Sequence, residues 1–224
     1  MKNTKLTRLR VAIDGPAASG KNTLAKQIAK KYKLLHLDSG KLYRYFALQV
    51  YQTKGQKVNY AKLKHALKKL TLKKLKDKRL TSEPVTKIAS TISKIKKIRL
   101  MLKKVQHDLA YNPPKKFKGS ILDGRDIGTV IMPDAHVKVY LTASLKVRAL
   151  RRYKEYKNMG VKTTLSKVKS DIKKRDYEDT HRKISSLKPA KDAVLLDSSF
   201  YNTKSAFVEI DKVIRNRIKL LNAT

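Results

Sequence analysis

Apolar positions along this chain repeatedly switch period, from short runs that suit a strand to stripes spaced three and four apart that suit a helix. Val11-Ala12-Ile13-Asp14 is such a run, and after it Leu24, Ala25, Ile28, Ala29 and Tyr32 share one helical face. Leu34 to Leu37 reads as a second strand ending at Asp38-Ser39-Gly40, with a helix following through Tyr43 to Tyr51. Ser120-Ile121-Leu122, Val137 to Leu141 and Val194 to Leu196 give three more strands, and a last helix runs from about Lys204 to Leu220. Strands alternating with helices predict an α/β fold with a central parallel five-stranded sheet. Motifs at the strands' carboxyl ends then matter most, because open α/β sheets bind ligands there.

Two stretches interrupt the alternation. Residues 54–114 are Lys-rich and helical in pattern, with Leu63, Ala66, Leu67 and Leu70 on one face and Ile88, Ile92 and Ile95 on another. They read as an inserted lobe that leaves through the stiff Asn112-Pro113-Pro114. Residues 150–187 hold two helical patterns joined around Met159-Gly160, the pattern of a charged lid or of a plain helical hairpin. The expected division is therefore core (1–53), insert (54–114), core (115–149), lid region (150–187) and core (188–224).

At 224 residues and 41% apolar, the chain suits one substantial core with small lobes. No apolar stretch reaches the roughly 20 residues of a membrane span, and Met1 to Arg10 carries charge with no apolar signal core after it. The expectation is a cytoplasmic protein. The absence of cysteine excludes disulfides and thiolate metal sites, and the five His residues are dispersed without ligand spacing. A net charge of +38 raises the possibility of a polyanionic partner. However, 42 Lys against 13 Arg, scattered from end to end, fits solvated faces better than a nucleic-acid patch. Where this chain uses Arg instead of Lys, a planar bidentate donor is the expected need.

The strongest local signal is Gly15-Pro16-Ala17-Ala18-Ser19-Gly20-Lys21, placed between a strand and a helix. Backbone N–H groups of such a loop, the helix N-terminus and Lys21 together suit the phosphates of a nucleoside triphosphate with Mg²⁺. Asn22 stands where a hydroxyl residue usually touches the metal, and Thr23 follows.

Further clusters go beyond a generic phosphate loop: Asp38-Ser39-Gly40 with Tyr43-Arg44; Ser90 with Arg99; Asp123-Gly124-Arg125-Asp126-Ile127-Gly128-Thr129; Arg151-Arg152-Tyr153; and Lys174-Arg175-Asp176 with Asp179 and Arg182. With these strings, from Val11 to about Ser199, the chain resembles bacterial-type cytidylate kinases. The resemblance implies a three-layer P-loop kinase fold with an acceptor-binding insert and a helical lid, acting as a monomer. It implies transfer of the γ-phosphoryl of ATP to CMP or dCMP, with ATP and Mg²⁺ bound. Gly15 to Thr23, with Arg148, Arg151 and Arg152 at the start of the lid, would hold the donor. Ser39, Arg44 and Arg125 would serve the acceptor, with Ser90, Arg99 and Asp126 facing the cytosine and Arg175 and Asp179 the sugar. Arg182 would be a further acceptor-site or transition-state arginine. Lys21, Arg125, Arg182 and Asp123 would carry the chemistry, and Thr23 and Asp123 the metal. The insert is short for such a protein, Lys73 to Thr81 replacing a small β-sheet. The competing readings are a P-loop kinase for UMP or AMP, and an RNA- or ribosome-binding P-loop protein with little turnover.

Overall fold

The computed structural model describes residues 8–53 and 58–223. The expected start of the insert, at Lys54, lies outside them, as do residues 1–7, where most of the charged leading segment falls. Two compact units result, one of residues 1–37 with 108–224 and one of residues 38–107.

The larger unit is built on a five-stranded sheet in the order β2-β3-β1-β4-β5. The strands are β1 (Leu9–Asp14), β2 (Leu35–Asp38), β3 (Gly119–Gly124), β4 (Val137–Thr142) and β5 (Val194–Asp197). β1 is parallel to β3 and β4, and β4 is parallel to β5. Register puts Val11 beside Ile121 and Val137, and Ile13 beside Val139. These side chains form one apolar face. Leu24, Ala25 and Ile28 of α1 (Lys21–Tyr32) and Ala206, Ile210 and Ile214 of α8 (Thr203–Ala223) cover it. Burial on both sides explains why β1 and β3 read as continuous apolar runs. β5 is an edge strand that leaves Val194 and Leu195 exposed, so its apolar sequence reflects strand propensity more than burial.

Two helices, α6 (Leu145–Asn158) and α7 (Leu165–His181), form a hairpin over most of residues 150–187. It closes on Ala149, Val168 and Ile172, which also pack against Ala18 of the phosphate loop.

In the smaller unit, α2 (Ser39–Tyr51) packs on α4 (Glu83–Ile92), and Tyr45 OH donates to Ala66 O of α3 (Tyr60–Lys68). Leu63 and Ala66 are buried as their spacing predicts, but the buried stripe of α4 is Val85, Ala89 and Ile92. Ile88 is half-buried, and Ile95 falls after α4 has ended. Of the expected face only Ile92 is buried: the stripe that packs is Val85, Ala89 and Ile92, at i, i+4 and i+7, and the helix ends before Ile95 can join it. Two short 3₁₀ turns occupy Lys74–Lys76 and Lys78–Thr81, the stretch where the resemblance puts a β-sheet. The boundary back to the larger unit falls within α5 (Lys96–Tyr111).

Candidate active site

The loop between β1 and α1 is fixed by close approach. A Cβ on Gly15 would sit 1.9 Å from Leu141 O of β4, so only glycine lets the chain leave the sheet there. Gly20 at φ 93° and Ala18 at φ 58° turn the loop through left-handed backbone. Gly20 caps α1 without any side chain, leaving first-turn amides and the positive dipole end available to an anion. Lys21 is buried, and its Nζ donates to Pro16 O at 2.7 Å and Ser19 Oγ at 3.2 Å. Burial foremost, then the charge of Arg125, pulls the Lys21 amine well below its usual pKa, against the opposing pull of Asp123, Asp14 and Asp179. A phosphate beside it would favour the charged form again.

The carboxyl ends of β1 and β3 lie side by side, with Ile13 opposite Asp123 and Asp14 opposite Gly124. Asp14 accepts hydrogen bonds from Ile127 N at 2.8 Å and Gly128 N at 2.7 Å, so it pins the loop carrying Arg125 and Asp126. Asp123 Oδ1 meets His36 Nε2 at 2.7 Å. Burial pushes the Asp14 carboxyl up to about 6 from 3.8, although both amide bonds oppose it. Between those values the folded chain binds more protons than the unfolded one, so this group's contribution to stability falls as pH rises toward 6. In paired urea melts, Asp14→Asn should therefore gain about 1 kcal/mol relative to the parent between pH 5 and 7.5, given 1.36 kcal/mol per pKa unit. A difference independent of pH would contradict the assignment.

Arg125 Nε donates to Asp179 Oδ2 at 2.7 Å, and Arg182 Nη1 donates to Asp179 Oδ1 at 3.2 Å. Arg182 Nε also donates to Ser185 O at 2.6 Å. Burial alone would raise the Asp179 carboxyl, but Arg125, Arg175 and Arg182 together hold it below the usual carboxylate range. Asp126 is buried at the start of a π-helical turn, Ile127–Ile131, and its carbonyl accepts from Val130 N and Ile131 N. Arg125, Asp126, Arg175, Asp179 and Arg182 are therefore held by the ends of β3 and α7.

The arginines of α6 split. Arg148 donates to Ala17 O at 3.3 Å and Ala143 O at 2.8 Å, and Arg151 donates to Ser19 O at 3.4 Å and Ser198 O at 2.7 Å. Both thus brace the carbonyl side of the phosphate loop. Arg152 instead pairs with Glu155 at 3.0 Å and lies over the Tyr156 ring. Asn22 is half-buried and Thr23 exposed on the first turn of α1.

Within residues 38–107, Asp38 caps α2 through Lys41 N and pairs with Arg44 at 3.0 Å. Ser39 is buried at the start of that helix, and Ser90 is half-buried on α4. Arg99 is buried, donates to Ser93 O at 3.1 Å and lies over the Tyr43 ring.

Sequence reasoning missed Asp14, His36 and Ser198, and it contained Asp176 in the Lys174-Arg175-Asp176 string without giving it a role. Asp14 had one signal, an acidic residue ending an apolar strand directly before the loop. His36 and Ser198 act through contacts far apart in the chain and leave no local pattern.

A parallel sheet whose first strand feeds a phosphate loop, with a carboxylate at the end of β3 and clamped arginines beyond it, defines a P-loop nucleotide kinase. The family model described as "Cytidylate kinase" matches residues 11–216, and the chain belongs to the cytidylate kinase family. It is 38% identical to a cytidylate kinase of Streptococcus mutans, with 94% of this chain and 97% of that one covered. It is 40% identical to one of Rhodopseudomonas palustris, covering 92% and 96% respectively. An uncharacterized protein from Eubacterium ventriosum shares the fold, with TM-score 0.55 at 13% identity over 93% of this chain and 99% of that one.

Proposed function

We propose that the protein transfers the γ-phosphoryl group of ATP to the phosphate of CMP and dCMP, giving CDP and dCDP. One observation supports this reading most. Asp14, at the end of the strand that feeds the phosphate loop, accepts from Ile127 N and Gly128 N, which holds the loop of Lys21 and the loop of Arg125 together. Two cations from separate elements, held against their mutual repulsion, are arranged to receive an anion between them.

The acceptor phosphate is mostly dianionic at pH 7, its second pKa being about 6, so it needs no strong general base. Positioning and charge neutralisation are then the chain's work. Lys21 and the loop amides hold the donor phosphates. Arg125 and Arg182, spaced by Asp179, grip the acceptor and the transferring group, with Arg175 and Asp179 toward the sugar. Ser39, Arg44, Ser90 and Arg99 are assigned to the acceptor by the family resemblance. Arg148, Arg151 and Arg152 act on the donor side, the first two by keeping the loop in shape. Mg²⁺ fits the available oxygen donors, since it is usually held by one or two carboxylates plus substrate phosphates. Asp123, buried and oriented by His36, is the carboxylate that would hold it, with Thr23 at the helix start; bound there, it neutralises phosphate charge. Among the described residues no helix is long and apolar enough to cross a membrane.

Base choice rests on Asp126. Cytosine offers an amino group at N4 where uracil offers a carbonyl oxygen, so a buried carboxylate attracts one and repels the other. Asp126→Ala should lower kcat/KM for CMP at least about tenfold while sparing or improving UMP, the scale of one charge-assisted hydrogen bond. Equal losses for CMP and UMP would remove Asp126 from base recognition.

A further inference from the structure

The phosphate loop of this chain already holds an anion of its own. Ala17 N donates to Asp176 Oδ1 at 3.4 Å, and Arg148 Nη1 donates to Asp176 Oδ2. The same Arg148 nitrogen donates to Ala17 O at 3.3 Å, closing a small ring of carboxylate, guanidinium and loop peptide. The Asp176 charge also reaches Arg125, one of the two cations assigned to the substrates. Asp176 therefore engages a loop amide and a loop-bracing arginine at once. These are the kinds of group that phosphate oxygens seek.

We infer that Asp176 is a positioning residue that acts as a resident anion, holding Ala17 and Arg148 until the donor phosphates displace it. The inference rests on the assignment of this loop to the donor nucleotide. A resident carboxylate keeps the cations and the amide in place without substrate, so little rearrangement is needed when phosphate arrives. It also competes with the incoming phosphates, which lowers donor affinity. Displacement would be felt along α7, because Asp176 follows Arg175 directly and precedes the arginine-clamping Asp179 by less than one turn. Donor binding is thereby linked to the residues assigned to the acceptor.

Asp176→Asn keeps the shape and removes the charge. Calorimetric titration with Mg-ADP should give a dissociation constant about threefold or more below that of the parent, because the variant no longer has to give up a charged contact. Without nucleotide the variant should melt below the parent, and saturating Mg-ADP should raise its Tm by more than it raises the parent's. A purely structural role would lower both melting temperatures and leave the affinity unchanged, and that result, like weaker ADP binding, overturns the inference. Absence of any Mg-ADP binding by the parent would instead overturn the donor-site reading itself and the inference with it. If the variant does not fold, a structure of the parent with Mg-ADP decides. Asp176 should have left Ala17 N, and a carboxylate still bonded there refutes displacement.

Discussion

Replacing Lys21 with alanine should lower kcat about 10²-fold or more while leaving the fold at least as stable as before. The two halves of this result have one cause. Lys21 is a buried cation whose amine is driven down by burial and by Arg125, so the folded chain bears an electrostatic cost in carrying it. Its hydrogen bonds to Pro16 O and Ser19 Oγ do not remove that cost. The pull of Asp123, Asp14 and Asp179 offsets that cost only in part, and the charge of Lys21 is best used when the transferring phosphoryl and its neighbours lie beside it. Steady-state rates alongside thermal melts test both halves. A variant with near-parent kcat, or one that loses activity only because it unfolds, would contradict the assignment.

The second large effect concerns Asp179, which accepts from both Arg125 and Arg182. Asp179→Ala leaves two mostly buried guanidinium groups without their shared carboxylate, and breaking a buried pair in this way costs about 3 kcal/mol or more. The carboxyl is held below the usual range in the folded chain, so the stability it contributes is present above the ordinary carboxylate pKa and is lost as pH falls through the lower folded value. Urea melts at pH 7 should show the loss, and KM for CMP should rise as Arg125 and Arg182 lose their spacing. Stability within about 0.5 kcal/mol of the parent, the range of an ordinary surface substitution, would mean that the clamp carries little of the site.

The strands were legible because burial on both faces leaves continuous apolar runs, as at Val11 to Ile13 and Ile121 to Leu122. β5 was equally legible although Val194 and Leu195 face solvent, since its strand propensity does not depend on its burial. Of the α4 face read from Ile88, Ile92 and Ile95 only Ile92 is buried, since Val85 and Ala89 complete the packed stripe and Ile95 follows the end of the helix. The loop from Gly15 to Lys21 was readable because its geometry demands glycine at fixed places, as the 1.9 Å approach at Gly15 shows. Asp14 was not readable as a site residue, and Asp176 was readable only as part of the Lys174-Arg175-Asp176 string, not in what it contacts. Their work is to bond backbone amides at Ile127, Gly128 and Ala17, more than a hundred positions away in the chain, and no periodicity records such contacts.

Phosphoryl transfer into a competing mixture of acceptors tests the central claim most directly. ATP labelled at the γ-phosphorus, offered with equal concentrations of CMP, dCMP, UMP, AMP and GMP and resolved by chromatography, should place the label in CDP and dCDP. Label mainly in UDP, ADP or GDP, or released as inorganic phosphate regardless of acceptor, would contradict it.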